Sequence, residues 1–107
     1  MIDAKPQREF KVTSDDDLFH INMYSECGEV ICSACYMKDK YGNAIVIQLD
    51  TPEQHRGNGY ATSLLVNIHD REGGRPIRVI STDHARGFYN KLGYKEITPY
   101  IFESNEN

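Results

Sequence analysis

No stretch of the chain approaches the ~20 consecutive apolar residues that a helix needs to cross a bilayer, so neither a spanning segment nor a membrane partner is expected. The first dozen residues are polar and lack the apolar centre of a secretory signal, which makes the cytosol the expected compartment. Positive charge is also short. Twelve Lys and Arg face 16 Asp and Glu, for a formal charge of −4. That balance argues against direct nucleic-acid binding and mildly favours a basic partner. Cysteine is sparse and odd in number, at three. Cys32 and Cys35 stand three apart in a stretch of strand character, so they point to opposite faces; free thiols are expected and no metal site or disulfide. Two phosphate-binding loops are excluded by spacing. A Walker A loop needs Lys-Ser or Lys-Thr, which the chain lacks, and the dinucleotide pattern G-x-G-x-x-G fails because position 62 is Thr. Internal repeats and low-complexity segments are absent as well.

What is present is a 107-residue chain with 39% hydrophobic and 26% charged residues, read as one globular domain over residues 1–107 with a single core. Residues 7–12 suggest an edge strand. Thr13, Ser14, Asp15, Asp16 and Asp17 offer turn or N-cap chemistry, with room for one helical turn at most. Residues 18–25 and 29–38 are rich in β-branched, aromatic and Cys side chains and are joined by Glu26-Cys27-Gly28, the pattern of a hairpin. A second hairpin at Lys40-Tyr41-Gly42-Asn43 leads into a strand over residues 44–49. In regular alternation Ile45, Ile47 and Leu49 share one face of that strand, and Ala44, Val46 and Gln48 the other. The result is a three-stranded antiparallel meander, ended by Pro52.

Apolar residues then recur at Ala61, Leu64, Leu65 and Ile68, the spacing of one helix face, in a helix that starts near Gly59 and is closed by Gly73-Gly74. Residues 77–82 form another apolar strand, and a right-handed crossover places it parallel to residues 44–49. Asp83 is the predicted N-cap of a short helix over residues 85–92, closed by Gly93. Residues 94–102 supply one or two final strands, and residues 103–107 are expected to fray. The fold class is α/β: a mixed, mostly antiparallel sheet with a central parallel pair and two helices.

The stretch Gln54-His55-Arg56-Gly57-Asn58-Gly59-Tyr60-Ala61 joins the first parallel strand to the long helix. Backbone N–H groups at a glycine-rich helix start lack intrahelical partners and sit at the positive end of the helix dipole, which suits a phosphate. The competing reading is a loop that only caps the helix.

This stretch resembles the Q/R-x-x-G-x-G/A signature of the GCN5-related N-acetyltransferases, with Leu64-Leu65 following where that family's helix meets the sheet. A second segment, Ala85-Arg86-Gly87-Phe88-Tyr89-Asn90-Lys91-Leu92-Gly93-Tyr94, is similar to the family's later A-x-x-x-Y-x-K-x-G-F/Y pattern. Two motifs in the right order carry more weight than either alone. The resemblance covers about residues 18–102 and, through Glu53-Gln54-x-Arg56-Gly57-x-Gly59, is greatest to the histone-acetylating branch.

It implies a GNAT-like sheet whose central parallel strands splay, acetyl-CoA as cofactor, and transfer of its acetyl group to a primary amine. The cofactor is implied to bind at Gln54, His55, Arg56, Gly57, Asn58, Gly59, Tyr60, Ala61 and Thr62, with its pyrophosphate on the backbone amides of Arg56 to Ala61, and pantetheine to pair with the backbone of Ile47, Gln48 and Leu49, where the Leu49 N–H meets the oxyanion. Tyr89 is the implied acid for the leaving thiolate; its alternative is a core aromatic beside Phe88. In the histone branch a glutamate is the base, and ungapped spacing puts Asn43 there, which cannot take a proton. Asp50, Glu53, His20, His55 and His84 are the ionisable alternatives. Thr82 stands where many members carry Asn.

Family members carry two helices between their first two strands, and here only residues 13–18 occupy that place. The expected acceptor side is therefore open, suited to a lysine or terminal amine of a protein or peptide, or to a partner subunit, a second copy included, that completes the wall. The run Asp15-Asp16-Asp17 would draw basic segments to it, or is a solvated acidic turn. Two other readings stay open: a non-catalytic acyl-CoA-binding or interaction module, and an acetyltransferase for a small amine such as a polyamine.

Overall fold

A computed structural model describes residues 9–104. Seven strands form one sheet in the order β1-β2-β3-β4-β5-β7-β6. They are β1 (Glu9–Asp15), β2 (Leu18–Tyr24), β3 (Val30–Lys38), β4 (Ala44–Asp50), β5 (Arg78–Ile80), β6 (Lys95–Thr98) and β7 (Ile101–Glu103), with helices α1 (Tyr60–Arg71) and α2 (Arg86–Lys91). Only β4 and β5 are parallel; the other pairings are antiparallel. The mixed sheet, the parallel pair and the two helices are those read from the sequence.

Side chains alternate along β2 and β3 so that Ile21, Met23, Cys32, Ala34 and Tyr36 face inward. They meet Val46, Val79 and Phe102 from the sheet, Leu64, Leu65 and Ile68 from α1, and Tyr89 from α2, in one contiguous core. Burying each of the three α1 aliphatics stabilises the fold by roughly 1.5–3 kcal/mol, which holds the helix to the sheet more firmly than its intrinsic propensity does. The opposite face leaves Met37 and Ile80 exposed and is covered by no helix among the described residues.

Helix α1 ends as the double glycine predicts. Gly73 and Gly74 both have positive φ, and the Gly74 N–H closes on the His69 carbonyl at 2.9 Å. Its C-cap Glu72 turns back to β3, where its carboxylate accepts from the Tyr36 hydroxyl at 2.9 Å and pairs with Lys38 at 2.9 Å.

Four details differ from the sequence reading. Residues 7 and 8 of the proposed first strand lie outside the described residues, and from Glu9 the strand runs on through Asp15. Thr13, Ser14 and Asp15 are thus strand rather than turn. A two-residue turn, Asp16-Asp17, leads straight into β2, with Asp16 at φ 55, a conformation that Asp tolerates better than bulkier residues.

Second, the alternation in β4 breaks. Cys35 pairs with Gln48 but Tyr36 pairs with Val46, so Ile47 is an extra residue, a bulge. The extra residue moves Leu49 onto the inward face with Val46, while Ile47 is left 39% exposed; the predicted sharing of a face by Ile45, Ile47 and Leu49 does not hold.

Third, Asp83 is not the cap of α2. The Ala85 N–H donates to the Thr82 side chain (3.3 Å) and carbonyl (3.1 Å), while Asp83 accepts from the Tyr100 hydroxyl. Fourth, Glu103 and Ser104 do not fray. Glu103 ends β7, and the buried Ser104 exchanges two hydrogen bonds with Ile77, at 2.8 and 2.9 Å. Residues 105–107 lie outside the described residues.

Because the Tyr36 hydroxyl satisfies a nearly buried carboxylate, Tyr36→Phe is expected to lower unfolding free energy by about 1–3 kcal/mol in urea titrations while leaving the fold intact. An unchanged midpoint would show that Lys38 alone satisfies Glu72.

Candidate active site

The pairing of β4 with β5 is short. Ile45 lies against Arg78 and Val46 against Val79, and there the ladder ends. Past that point the Ile47 bulge turns β4 aside, and the two strands separate toward their C-terminal ends, the position at which open α/β sheets bind ligands. A cavity of about 620 Å³ occupies the gap. Leu49 and Asp50 at the end of β4 and Thr51 just past it line the cavity, the glycine loop and the start of α1 form one wall, and Thr82, His84, Ala85, Phe88 and Tyr89 form the other.

The glycine loop is shaped by its own bonds. After Pro52, a single 3-10 turn (Glu53–His55) leads into Gly57 at φ 83 and Gly59 at φ 78, left-handed conformations that a side chain with Cβ adopts only at a cost. The Asn58 side-chain amide donates back to the carbonyls of His55 (3.0 Å) and Arg56 (3.4 Å), stapling the loop. The helical ladder of α1 begins with the Ser63 N–H to Gly59 carbonyl bond at 3.0 Å, so the amides of Ala61 and Thr62 stand ahead of it at the cavity wall. Arg56 Nε donates to the Thr51 carbonyl at 3.0 Å, which fixes the guanidinium plane and leaves its two Nη groups available to an anion.

His55 Nε2 lies 2.8 Å from Glu29 Oε1 and its ring is 6.3 Å from that of Tyr60. The bond to His55 holds the Glu29 carboxyl below the usual carboxylate range and ties the loop to the turn between β2 and β3.

Of the residues singled out in the sequence, Leu49, His55, Arg56, Gly57, Gly59, Tyr60, Ala61, Thr62 and Tyr89 come together on the cavity surface. Ile47, Gln48, Gln54 and Asn58 do not line it. Ile47 is the bulge, Gln48 and Gln54 are exposed, and Asn58 acts through the loop backbone. Asp50, Thr51, Thr82, His84, Ala85 and Phe88 complete the wall. Of these, Thr51 was missed outright: its side chain contacts the buried Cys32 thiol at 3.3 Å, and no motif marks it.

The base candidates separate. Asp50, His55 and His84 line the cavity, whereas Asn43 sits in the turn between β3 and β4, its N–H on the Asp39 carboxylate at 2.9 Å. His20 pairs with Cys35 at 3.0 Å across the outer face. Cys32 is buried and Cys35 half-buried, both free, and no group of three or more metal-ligating side chains occurs among the described residues. No helix is long and apolar enough to cross a membrane among those residues. The acidic turn is not at the cavity. Leu18, next to it, pairs with Met37, which pairs with Ile45 at the start of β4, so Asp15, Asp16 and Asp17 lie at the far end of the strands, roughly 13 Å or more from Leu49 by strand rise alone.

Tyr89 is the core aromatic of its alternative reading, and it also borders the cavity. It is 3% exposed and packs against Phe88, Tyr94 and Phe102 at centroid distances of 5.2, 5.8 and 5.5 Å, yet it lines the cavity, and its hydroxyl bonds to no other described residue. Burial, reinforced by Tyr94 and Cys32, pushes its phenol up to about 12.

A phenol raised in the folded state adds stability that is complete below its ordinary value near 10 and is lost as pH climbs through 12. Tyr36, also raised to about 12 by burial and by Glu72, behaves alike. In an absorbance titration these two of the seven tyrosines are expected to ionise last, and Tyr89→Phe to remove one late phenol and flatten the loss of Tm between pH 10 and 12. Loss of an early-ionising phenol instead would contradict the buried placement.

The comparisons with known proteins come from sequence and from shape. Residues 5–105 match the family described as acetyltransferase (GNAT) domain. No curated protein matches the sequence significantly. Among solved structures, Tetrahymena GCN5 superposes with TM-score 0.74 at 16% identity, over 87% of this chain and 71% of that one. AtaTR bound with acetyl-CoA gives TM-score 0.69 at 12% identity, over 82% and 67%. A GNAT-family acetyltransferase from Staphylococcus aureus Mu50 gives 0.69 at 9%, over 85% and 69%. At these identities the likeness is one of fold.

Proposed function

Since the chain belongs to the GNAT acetyltransferase family, we propose that it transfers the acetyl group of acetyl-CoA to a primary amine, a lysine or terminal amine of a protein or peptide. The observation that carries this reading is the convergence of the glycine loop, the start of α1 and Tyr89 on one cavity at the splayed ends of β4 and β5. The acetyl-CoA bound by AtaTR supports the choice of donor.

In this reading the amides of Ala61 and Thr62, with the α1 dipole and Arg56, hold the pyrophosphate. The edge of β4 that reaches the cavity at Leu49, released from β5, offers backbone groups to the amides of the pantetheine arm, and the Leu49 N–H meets the carbonyl oxygen as it becomes negative. The acceptor nitrogen bonds to the thioester carbon, the C–S bond breaks, and the sulfur leaves as thiolate.

Tyr89 is the donor to that sulfur. Complete proton transfer from a phenol near 12 to a thiolate whose conjugate acid titrates near 8.5 is uphill by about 3.5 pKa units, so its role is to donate a hydrogen bond while solvent supplies the proton. Asp50 and His84, both exposed on the cavity wall, are the groups available to take the ammonium proton.

A macromolecular acceptor fits because the outer face is uncovered among the described residues, so a flexible chain can approach. With the acidic turn at the far end of the strands, that fit rests on access and not on charge. Asn43 in place of a carboxylate favours the alternative of acyl-CoA binding without turnover.

Thiol release from acetyl-CoA with pooled peptide and small-amine acceptors separates the two. Turnover is expected, highest with peptides, and Tyr89→Phe is expected to lower kcat about 10- to 100-fold, the scale of one hydrogen bond to a charged group, at unchanged CoA affinity. Binding without turnover for every acceptor would establish the non-catalytic reading.

CoA itself is expected to stabilise the fold by about 2.7 kcal/mol at a hundredfold excess over Kd. Gly59→Glu should abolish that shift by setting a carboxylate against pyrophosphate, with the unliganded melt recorded alongside because φ 78 disfavours any side chain. No shift for the unaltered protein at millimolar CoA would end the cofactor assignment.

A further inference from the structure

The wall formed by residues 82–85 is not self-supporting. Helix α2 has six residues, too few to be stable alone. Its position is set by the turn between β6 and β7, which closes on it through Tyr100. The Tyr100 hydroxyl donates to Asp83 at 2.7 Å, its carbonyl accepts from the Ser81 N–H at 2.7 Å, and its ring lies 5.0 Å from the Arg86 guanidinium carbon. Arg86 is in turn held by both oxygens of Glu96 (2.8 and 2.9 Å), and the same carboxylate accepts the Tyr100 N–H at 2.9 Å.

Residues 81, 83 and 86, which bracket the cavity-lining Thr82, His84 and Ala85, are therefore all tied to Tyr100 or to its anchor Glu96. Tyr100 is 40% exposed and takes φ 69, an unfavourable conformation for a bulky residue. Tyr100 is the second residue of the two-residue turn Pro99-Tyr100 between β6 and β7, and that turn brings its hydroxyl, carbonyl and ring against residues 83, 81 and 86 of one segment.

We propose that Tyr100 is a positioning residue that sets the wall at residues 82–85 for acetyl-CoA. The assignment rests on the acetyl-CoA reading above. Tyr100 touches no reacting atom; it acts through Asp83 and Arg86.

The test compares Tyr100→Phe, which removes only the hydroxyl, with Asp83→Asn, which keeps an acceptor for it. Hydrogen exchange at residues 82–85 of the unliganded protein and calorimetric titration with CoA are read on each variant, with kcat and the KM for acetyl-CoA where turnover is present. Tyr100→Phe is expected to speed exchange in that segment and to weaken CoA binding about fivefold, the scale of the net contribution of one ordinary hydrogen bond, with kcat at saturation within about twofold and Tm nearly unchanged. Asp83→Asn is expected to stay near the unaltered protein in both readouts. Unchanged exchange or unchanged CoA affinity in Tyr100→Phe overturns the proposal, as does an equal loss in Asp83→Asn. Failure of the unaltered protein to bind CoA overturns the cofactor reading instead, and is recognised before any variant is compared.

Discussion

The cavity exists because the parallel pairing of β4 and β5 stops after two residue pairs. Backbone groups normally continue a ladder wherever a partner strand is in reach, since an unmet donor or acceptor away from water costs about as much as a lost hydrogen bond. Here the extra residue Ile47 turns β4 at the point of divergence, and β5 ends at Ile80. The unpaired edge that results is a liability in most sheets. In this one it faces a cavity, with the amides at the start of α1 at one end and Tyr89 along the wall.

Rigidity around that gap comes from three independent fastenings. The loop is held by Asn58 to its own carbonyls, by Arg56 to Thr51 and by His55 to Glu29. Helix α1 is held at its far end by Glu72 between Tyr36 and Lys38. The short α2 depends on neighbours, Tyr89 in the core and the cluster around Tyr100 at its start. A binding site built this way needs little ordering when ligand arrives, which favours affinity. Tyr89 is held by aromatic neighbours in the core and still borders the cavity.

The front of the molecule is reduced to a hairpin. A two-residue turn joins β1 to β2 where the family that the sequence resembles has two helices, and the outer face of the sheet stays open among the described residues. The acidic turn is carried by that hairpin to the end of the sheet away from the cavity, beyond the 8–10 Å over which its field survives in physiological salt.

Local chemistry decided much of this protein without reference to any long-range contact. The 3.6-residue spacing of Leu64, Leu65 and Ile68, the double glycine after α1, and the glycines at 57 and 59 each act within a few residues, and the elements they dictate are present. The glycine loop and the second motif likewise located most of the cavity wall. What needed the folded chain is what depends on pairs distant in sequence. The bulge at Ile47 is a mismatch between β3 and β4, invisible in either strand alone, and it reversed the facing of Leu49. Asp83 has the chemistry of a helix cap, but Tyr100, seventeen residues on, took its carboxylate, and the Ala85 N–H ahead of α2 turns to Thr82 instead. Thr51 joined the site through Cys32 and Arg56, and the acidic turn left it through strand register. In each case a side chain's type was legible from sequence, but its partner was chosen by tertiary packing, because hydrogen bonds and burial are settled by distance in space and not along the chain.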